Sequence, residues 1–428
     1  MREYTGWFLD INESGAGVTV WLLGEDGGRY RLSQPFPVTF YAAGAFERLR
    51  QLWRCLKKSP VAPRLSRTRR IDLFAGTLDV MEIQASGPAQ QRRLFYEARS
   101  NFPDLDYYDA DIPLGIRYAA RFEAFPLMSC QIAADEDGEI KHITPLNSRW
   151  DLDTEAPPLR LLTIEPNVDP SHREPTYLKI ADGRKEIRVE LEPTHSLLVS
   201  VQAAVRRHDP DVILTRWGDT WTFPHLLALQ GKLGASYFNL NRDHSRQPLR
   251  RKANSYFSFG QIIHRGEQVH FFGRWHIDIH NSMLFKEYGL EGVFEQARVT
   301  GLPVQEVARK SPGAGITALE MLVALEREVL VPYQKQQAEQ FKAALELIHA
   351  DRGGLVYQPT IGLHQDVAEV DFISMYPSIM VKFNISPETV GVAGDEAVVI
   401  PELGIPIDQS REGLIPATLS TMRFSSSV

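Results

Sequence analysis

The chain has 428 residues, 43% of them hydrophobic, enough for two or three packed cores rather than one. Its formal net charge of −7 excludes a small, uniformly basic nucleic-acid-binding domain but allows positive charge gathered in a cleft. Two cysteines, Cys55 and Cys130, exclude a disulfide framework and a cysteine-based zinc site and point to a reducing, cytoplasmic setting. The longest apolar runs fall short of a membrane span, and the start Met1-Arg-Glu-Tyr-Thr-Gly-Trp7 lacks a signal-peptide layout.

In chain order, short apolar runs (Gly17–Leu23, Pro37–Tyr41) predict strands, and Ala45–Trp53 has the apolar spacing of an amphipathic helix. Lys57, Lys58, Arg64, Arg67, Arg69 and Arg70 form a basic cluster that Pro60 and Pro63 mark as a surface loop. A proline-rich seam (Pro145, Pro157, Pro158, Pro166, Pro170) predicts a domain boundary near residue 155. Beyond it, strands are expected at Glu186–Leu191 and Gln268–Phe272, and a helix at Ser196–Arg206. A second basic cluster, with Arg242, Arg246, Arg250, Arg251 and Lys252, is a candidate for phosphate contact. His276, Asp278 and His280 share one face of a strand, where structural histidines are a commoner use than metal ligation. Helices are expected from Ile316 to Val331 and from about Tyr333 to His349, divided by Pro332.

The most informative stretch is Asp371-Phe-Ile-Ser-Met-Tyr-Pro-Ser-Ile-Met380. An acidic residue ends the apolar run from Val367 and predicts a carboxylate held rigidly at a buried strand tip, as metal-assisted phosphoryl transfer requires. The turn that follows frees backbone amides to face a triphosphate. This stretch resembles the first palm motif of family B DNA polymerases, Asp-x-x-Ser-Leu-Tyr-Pro-Ser-Ile, with Met375 replacing Leu.

The resemblance implies roles for these residues. Asp371 would bridge two Mg²⁺ ions, one of them also bound by the Phe372 carbonyl. The amides of Ser374 and Met375 would hold the incoming dNTP, and Tyr376 would be the steric gate against ribonucleotides. Gly353 and Gly354 match a Tyr-x-Gly-Gly segment that touches template DNA, although Asp351 stands at its tyrosine. Ile385–Val390 and Arg411–Ala417 also resemble the family.

The same resemblance implies a 3′–5′ exonuclease domain whose motifs here are degenerate. Its first motif, Asp-Ile-Glu, aligns with Leu161–Glu165; Glu165 remains, but Thr163 holds the Asp position. In its second, Trp217 replaces Asn and Thr222 replaces Asp, and the third has no counterpart. A threonine hydroxyl brings no charge to Mg²⁺, so loss of the nuclease is expected. Asp219 is the one nearby carboxylate that a shifted register would bring to the site.

The expected fold is α/β (α+β, multidomain), with an RNase H-like exonuclease-type domain. The expected division is 1–155 N-terminal domain, 156–310 exonuclease-like domain, 311–350 helical connector and 351–428 the start of a palm. The fingers motif and a paired palm carboxylate are absent after residue 371, and Leu419–Val428 reads as disordered. The chain alone is therefore expected to be inactive: the N-terminal part of a polymerase, split between two polypeptides or truncated, with primer-template DNA, dNTP and a second polypeptide as partners. The alternative is a non-catalytic module that binds DNA or polymerase partners, or a non-functional truncation product.

Overall fold

The computed structural model describes residues 1–15, 17–258, 261–334, 343–350, 357–372, 374–401 and 403–425. The N-terminal region opens with β1 (Arg2–Ser14), β2 (Gly17–Gly24), β3 (Arg29–Pro35) and β4 (Val38–Ala43), then α1 (Phe46–Leu56). It continues through β5 (Arg64–Asp72), β6 (Gly76–Ala85), α2 (Pro88–Asn101), β7 (Asp106–Tyr108), α3 (Leu114–Phe122), β8 (Ser129–Ala134) and β9 (Ile140–Pro145). Two sheets result, ordered β3-β2-β1-β8-β9 and β5-β6-β4-β7. The first basic cluster is thus not a plain loop. Arg64 to Arg70 lie on β5, an edge strand, because alternating Leu65 and Arg67 register against Ile83 and Met81 of β6 and so let Leu65 reach the core.

Every residue of β2 is buried. Val18, Val20 and Leu22 pack with Tyr118, Met128 and Cys130 inside the N-terminal region. Trp21 and Leu23 face the other way and join Trp275 and Ile277 of the central region in a shared core. Gly273, at φ +78°, lies against the Trp21 ring so closely that an added Cβ would sit 2.7 Å from it. Arg29 closes the seam with bonds of 3.0 and 2.6 Å to the two carboxylate oxygens of Asp211.

The central region holds β10 (Leu161–Pro166), β11 (Tyr177–Ala181), β12 (Glu186–Glu190), α4 (Thr194–His208) and β13 (Val212–Thr215). A π-turn over Gly218–Thr222 leads into α5 (Phe223–Leu233), followed by β14 (Leu249–Arg251), β15 (Asn254–Ser258), β16 (Gln261–Arg265), β17 (Gln268–His270) and β18 (Trp275–Asp278). Its main sheet is ordered β12-β11-β10-β13-β18. β10 runs antiparallel to β11, and parallel to β13, which is itself parallel to β18. Leu162, Ile164 and Ile213 face α4, whose Leu197, Leu198 and Val201 complete that core.

Then come α6 (Met283–Thr300), α7 (Val304–Val307) and α8 (Pro312–Glu326). α8 starts at Pro312, a favoured first helical residue, and ends before Val329, which bridges to Ile71. The helix expected from Tyr333 is reduced to α9 (Ala344–Ala350) among the described residues: Tyr333 and Gln334 form a turn, and 335–342 lie outside them. α10 (Met375–Lys382), β19 (Val398–Ile400), β20 (Ile405–Ile407) and α11 (Leu414–Ser425) follow. The mixed α/β architecture is of the expected class.

The tail is corrected by α11. Residues 419–425 are helical, because the two remote stretches Ile385–Val390 and Arg411–Ala417 meet at the helix start. Glu388 accepts from the Leu414 N–H, and Ser386 Oγ accepts from the Ile415 N–H at 3.2 Å. Asn384 adds bonds to Gly413 N (2.8 Å) and to the carbonyls of Asp408 and Arg411 (2.7 Å each). These side chains satisfy amides that a helix leaves free at its first turn.

Candidate active site

On β10, Thr163 and Glu165 share a face and are half-buried. Glu165 pairs with Arg216 at 3.3 Å. Trp217 has a left-handed backbone (φ +57°), donates its N–H to Asp278 Oδ1 at 3.1 Å, and rests its ring beside His280. Next to it, a Cβ on Gly218 would meet Thr215 Oγ1 at 2.0 Å and His276 Nε2 at 2.6 Å, so the turn is seated directly on β13 and β18. Thr222 is fully buried, and its hydroxyl has no hydrogen-bond partner among the described residues. The four positions therefore deliver one carboxylate, and a cation of the protein already neutralises it.

Asp219 is the carboxylate the sequence left open. It is 0% exposed. Arg309 donates to both its oxygens, at 2.7 and 2.9 Å, while Val269 N (2.8 Å) and Asn281 Nδ2 (2.9 Å) donate as well. Burial alone would raise its pKa; Arg309 and the neighbouring His276 outweigh that and hold it down at about 2. His276 is held down to about 4, chiefly by burial, with Asp219 opposing and Arg309 reinforcing the shift. Its ring nitrogens face Thr215 Oγ1 at 2.8 Å and the Val269 carbonyl at 2.6 Å, leaving neither for a metal. Asp278 receives the N–H groups of Trp217, Asp219 and His280. No group of three or more His, Cys, Asp or Glu side chains positioned for a metal occurs among the described residues. Arg309, ninety positions from Asp219, carries no local sequence signal for this role.

The second basic cluster is mostly committed. Arg242 binds Asp209 Oδ1 at 2.9 Å and the carbonyl of Gly273 at 2.8 Å, and Arg246 binds the Glu13 carbonyl at 2.9 Å while lying over the Phe272 ring. Arg250 pairs with Glu267 and Arg251 with Glu306, both at the surface, and Lys252 is exposed.

The motif around Asp371 is arranged differently from the expectation. The described residues 357–372 form no strand, and each is exposed, Val370 at 92%. A strand needs a neighbour to accept and donate along its edge, and no described strand pairs with this stretch. Among the described residues, Asp371 accepts from the Phe372 N–H alone, at 2.8 Å. Ser374, at φ +49°, turns the chain into α10, so Met375 and Tyr376 occupy its first turn, where backbone amides lack intrahelical acceptors. The Tyr376 ring is exposed. Gly353 and Gly354 lie outside the described residues.

The central sheet thus offers one carboxylate at these four positions, Glu165, paired with Arg216, whereas Asp371 has no cation partner among the described residues. A family model described as DNA polymerase family B matches residues 307–412, which include that motif. The chain is similar to a DNA polymerase of Pyrococcus horikoshii (29% identical over 264 residues, 51% of this chain and 21% of that protein). It is also similar to DNA polymerase 2 of Saccharolobus solfataricus (32% over 129 residues, 30% and 20%) and to DNA polymerase 2 of Aeropyrum pernix (24% over 496 aligned positions, 96% and 60%). The family B DNA polymerase structure from Pyrobaculum calidifontis shares the fold, with a TM-score of 0.72 and 22% identity, covering 98% of this chain and 63% of that one. The chain is thus similar to the N-terminal portion of family B DNA polymerases, with the family model confined to residues 307–412. It spans between about a fifth and two thirds of the length of these relatives.

Proposed function

We propose that this chain contributes the first palm carboxylate, Asp371, and the steric gate, Tyr376, to a DNA-directed DNA polymerase. The observation that carries the reading is the motif Asp371–Met380 lying inside the stretch matched by the family model. Primer-template DNA and dNTP are the substrates this implies. We propose the division 1–155, 156–310, 311–350 and 351–428 for its parts; the separate sheets of the first two regions support it.

The donor set fits part of a two-Mg²⁺ site. Asp371 and the Phe372 carbonyl are oxygen ligands of the right type, and Asp371 is unpaired with any cation among the described residues. When bound, the metals would stabilise the attacking and leaving oxygens of an in-line displacement. One carboxylate cannot hold two hard cations close together, so a complete site needs at least one further acidic ligand beside Asp371. The first-turn amides of α10 would orient the triphosphate, and the Tyr376 ring would deny space to a ribose 2′-hydroxyl. Proofreading is absent in this reading, since Thr163, Trp217 and Thr222 supply no charge and Glu165 is paired.

Primer extension by the polymerase assembled with the remaining palm, fingers and thumb tests the proposal. Tyr376→Ala is expected to admit ribonucleotides, read as rNMP incorporation on a gel; unchanged discrimination would remove the gate assignment.

A further inference from the structure

The helices α6 and α8 leave an open furrow between them that the polymerase reading does not use. It has a volume of about 400 Å³ and is walled by Leu284, Tyr288 and Val299 of α6 and by Pro312, Ile316 and Leu319 of α8. Leu284 and Leu319 belong to the core beneath, whereas Tyr288 is 62% and Ile316 40% exposed. α8 comes so close to α6 at Gly315 that an added Cβ would sit 2.7 Å from Gln296 Nε2. α6 itself bends at Gly289 (φ +66°, ψ −166°), which interrupts the helical backbone beside Tyr288. Single exposed apolar side chains are ordinary, but several lining one concavity mark a contact surface.

The charge along this furrow has one sign. Glu295 is the one charged side chain among its lining residues, and it stays 57% exposed while pairing with Arg298. Glu291 lies one turn before it, and Glu287 four residues earlier, across the bend. Both are exposed, and among the described residues neither has a cation within ion-pair distance. The α8 wall, from Pro312 to Leu319, carries no charged residue. Lys286, two positions from Tyr288, lies on the opposite side of its helix. An apolar floor edged by unpaired carboxylates complements apolar anchors flanked by lysine or arginine. Two helices offer an extended strand no free row of backbone N–H and C=O groups, so the complementary shape is a third helix. The same face of a second copy would bring the same acidic edge and meet like charge.

We propose that the α6–α8 furrow is the docking site for a basic amphipathic helix of a partner polypeptide, with apolar anchors on Tyr288, Ile316 and Leu319 and cations along Glu287, Glu291 and Glu295. The site goes beyond the polymerase reading and does not rest on it, since none of its residues lies in the stretch Asp371–Met380.

The test is fluorescence anisotropy of this 428-residue chain with a labelled helical peptide of about five turns that carries a leucine stripe flanked by lysines. Two control peptides have the same residues in scrambled order, or glutamate in place of lysine. The first peptide is expected to bind more tightly than either control, and to slow hydrogen exchange in α6 and α8. Tyr288→Ser/Ile316→Ser is expected to weaken its binding about tenfold through lost apolar contact, with the salt dependence unchanged. Glu287→Gln/Glu291→Gln is expected to weaken it about fivefold at low salt and by less at high salt. All four side chains are exposed, so both variants should fold, which circular dichroism and thermal melts check. Wild-type affinity in Tyr288→Ser/Ile316→Ser, or equal binding of the scrambled or glutamate peptide, would overturn the proposal. So would a dimer in sedimentation that Tyr288→Ser/Ile316→Ser dissolves, because the occupant would then be a second copy of this chain.

Discussion

Asp219 and Asp371 are both acidic residues beside a sharp turn that leads into a helix, yet their surroundings are opposite. Asp219 is sealed into the central sheet with Arg309 across both oxygens and two further donors. Asp371 is exposed, and among the described residues one local amide is its only donor. A carboxylate can bind a metal only with lone pairs that no fixed cation has taken. By that standard Asp219 is taken up by the fold, while Asp371 keeps its lone pairs free of any cation among the described residues.

The largest test is Asp371→Ala, expected to reduce primer extension by the assembled polymerase at least about 10³-fold, since a metal ligand supports several kcal/mol of charge stabilisation. Retained synthesis would erase the contrast drawn between the two carboxylates. Arg309→Met should destabilise the fold by about 3–5 kcal/mol in urea titration, because Asp219 would remain buried without its cation. A loss below about 1 kcal/mol would mean that water, rather than Arg309, sustains the charge.

A third carboxylate sharpens the rule. Asp10, buried near Glu306, has its pKa raised to about 7, mainly by burial, with Asn12 and the Ile11 amide opposing and Glu306 adding to the rise. A raised folded value means stability that is full below pH 3.8 and is lost as pH rises towards 7. Asp10→Asn should abolish that decline, gaining a few kcal/mol relative to the parent between about pH 4 and pH 8. Thermal melts at the two pH values measure it, and parallel profiles would refute it. The smallest effect is expected from Glu165→Gln: below about 1 kcal/mol in stability, because its pair with Arg216 is half-solvated. A 3′-labelled primer with Mg²⁺ should stay intact in both forms. Degradation that disappears in Glu165→Gln would restore a nuclease role to the sheet.

Much of the architecture is legible in the sequence because periodicity is local. The strand at Gly17–Leu23, the helix after Ala45 and the helix between Ser196 and Arg206 follow from side-chain spacing, and each appears with slightly shifted ends. The basic run from Arg64 reads as a loop in sequence, because the prolines before it outweigh a weak alternation whose apolar members face β6. The tail beyond Leu419 reads as disordered because its helix is started by Ser386 and Glu388, more than twenty-five positions upstream. A buried strand is the expectation for Asp371, since an apolar run predicts one wherever a neighbour exists; among the described residues no strand pairs with it.

By itself, then, the sequence determined which chemistry-bearing residues exist: the acidic motif from Asp371 to Met380, and threonine and tryptophan at positions 163, 217 and 222. Residue type fixes charge and donor capacity whatever the fold. Only the tertiary structure decided which of those charges stay free. It brought Arg309 onto Asp219, Arg29 onto Asp211 and Glu388 onto the start of α11, and it left the β5 arginines open to solvent. Those pairings span from 26 to 182 positions, and distance along the chain says nothing about which cation a fold will carry to which carboxylate.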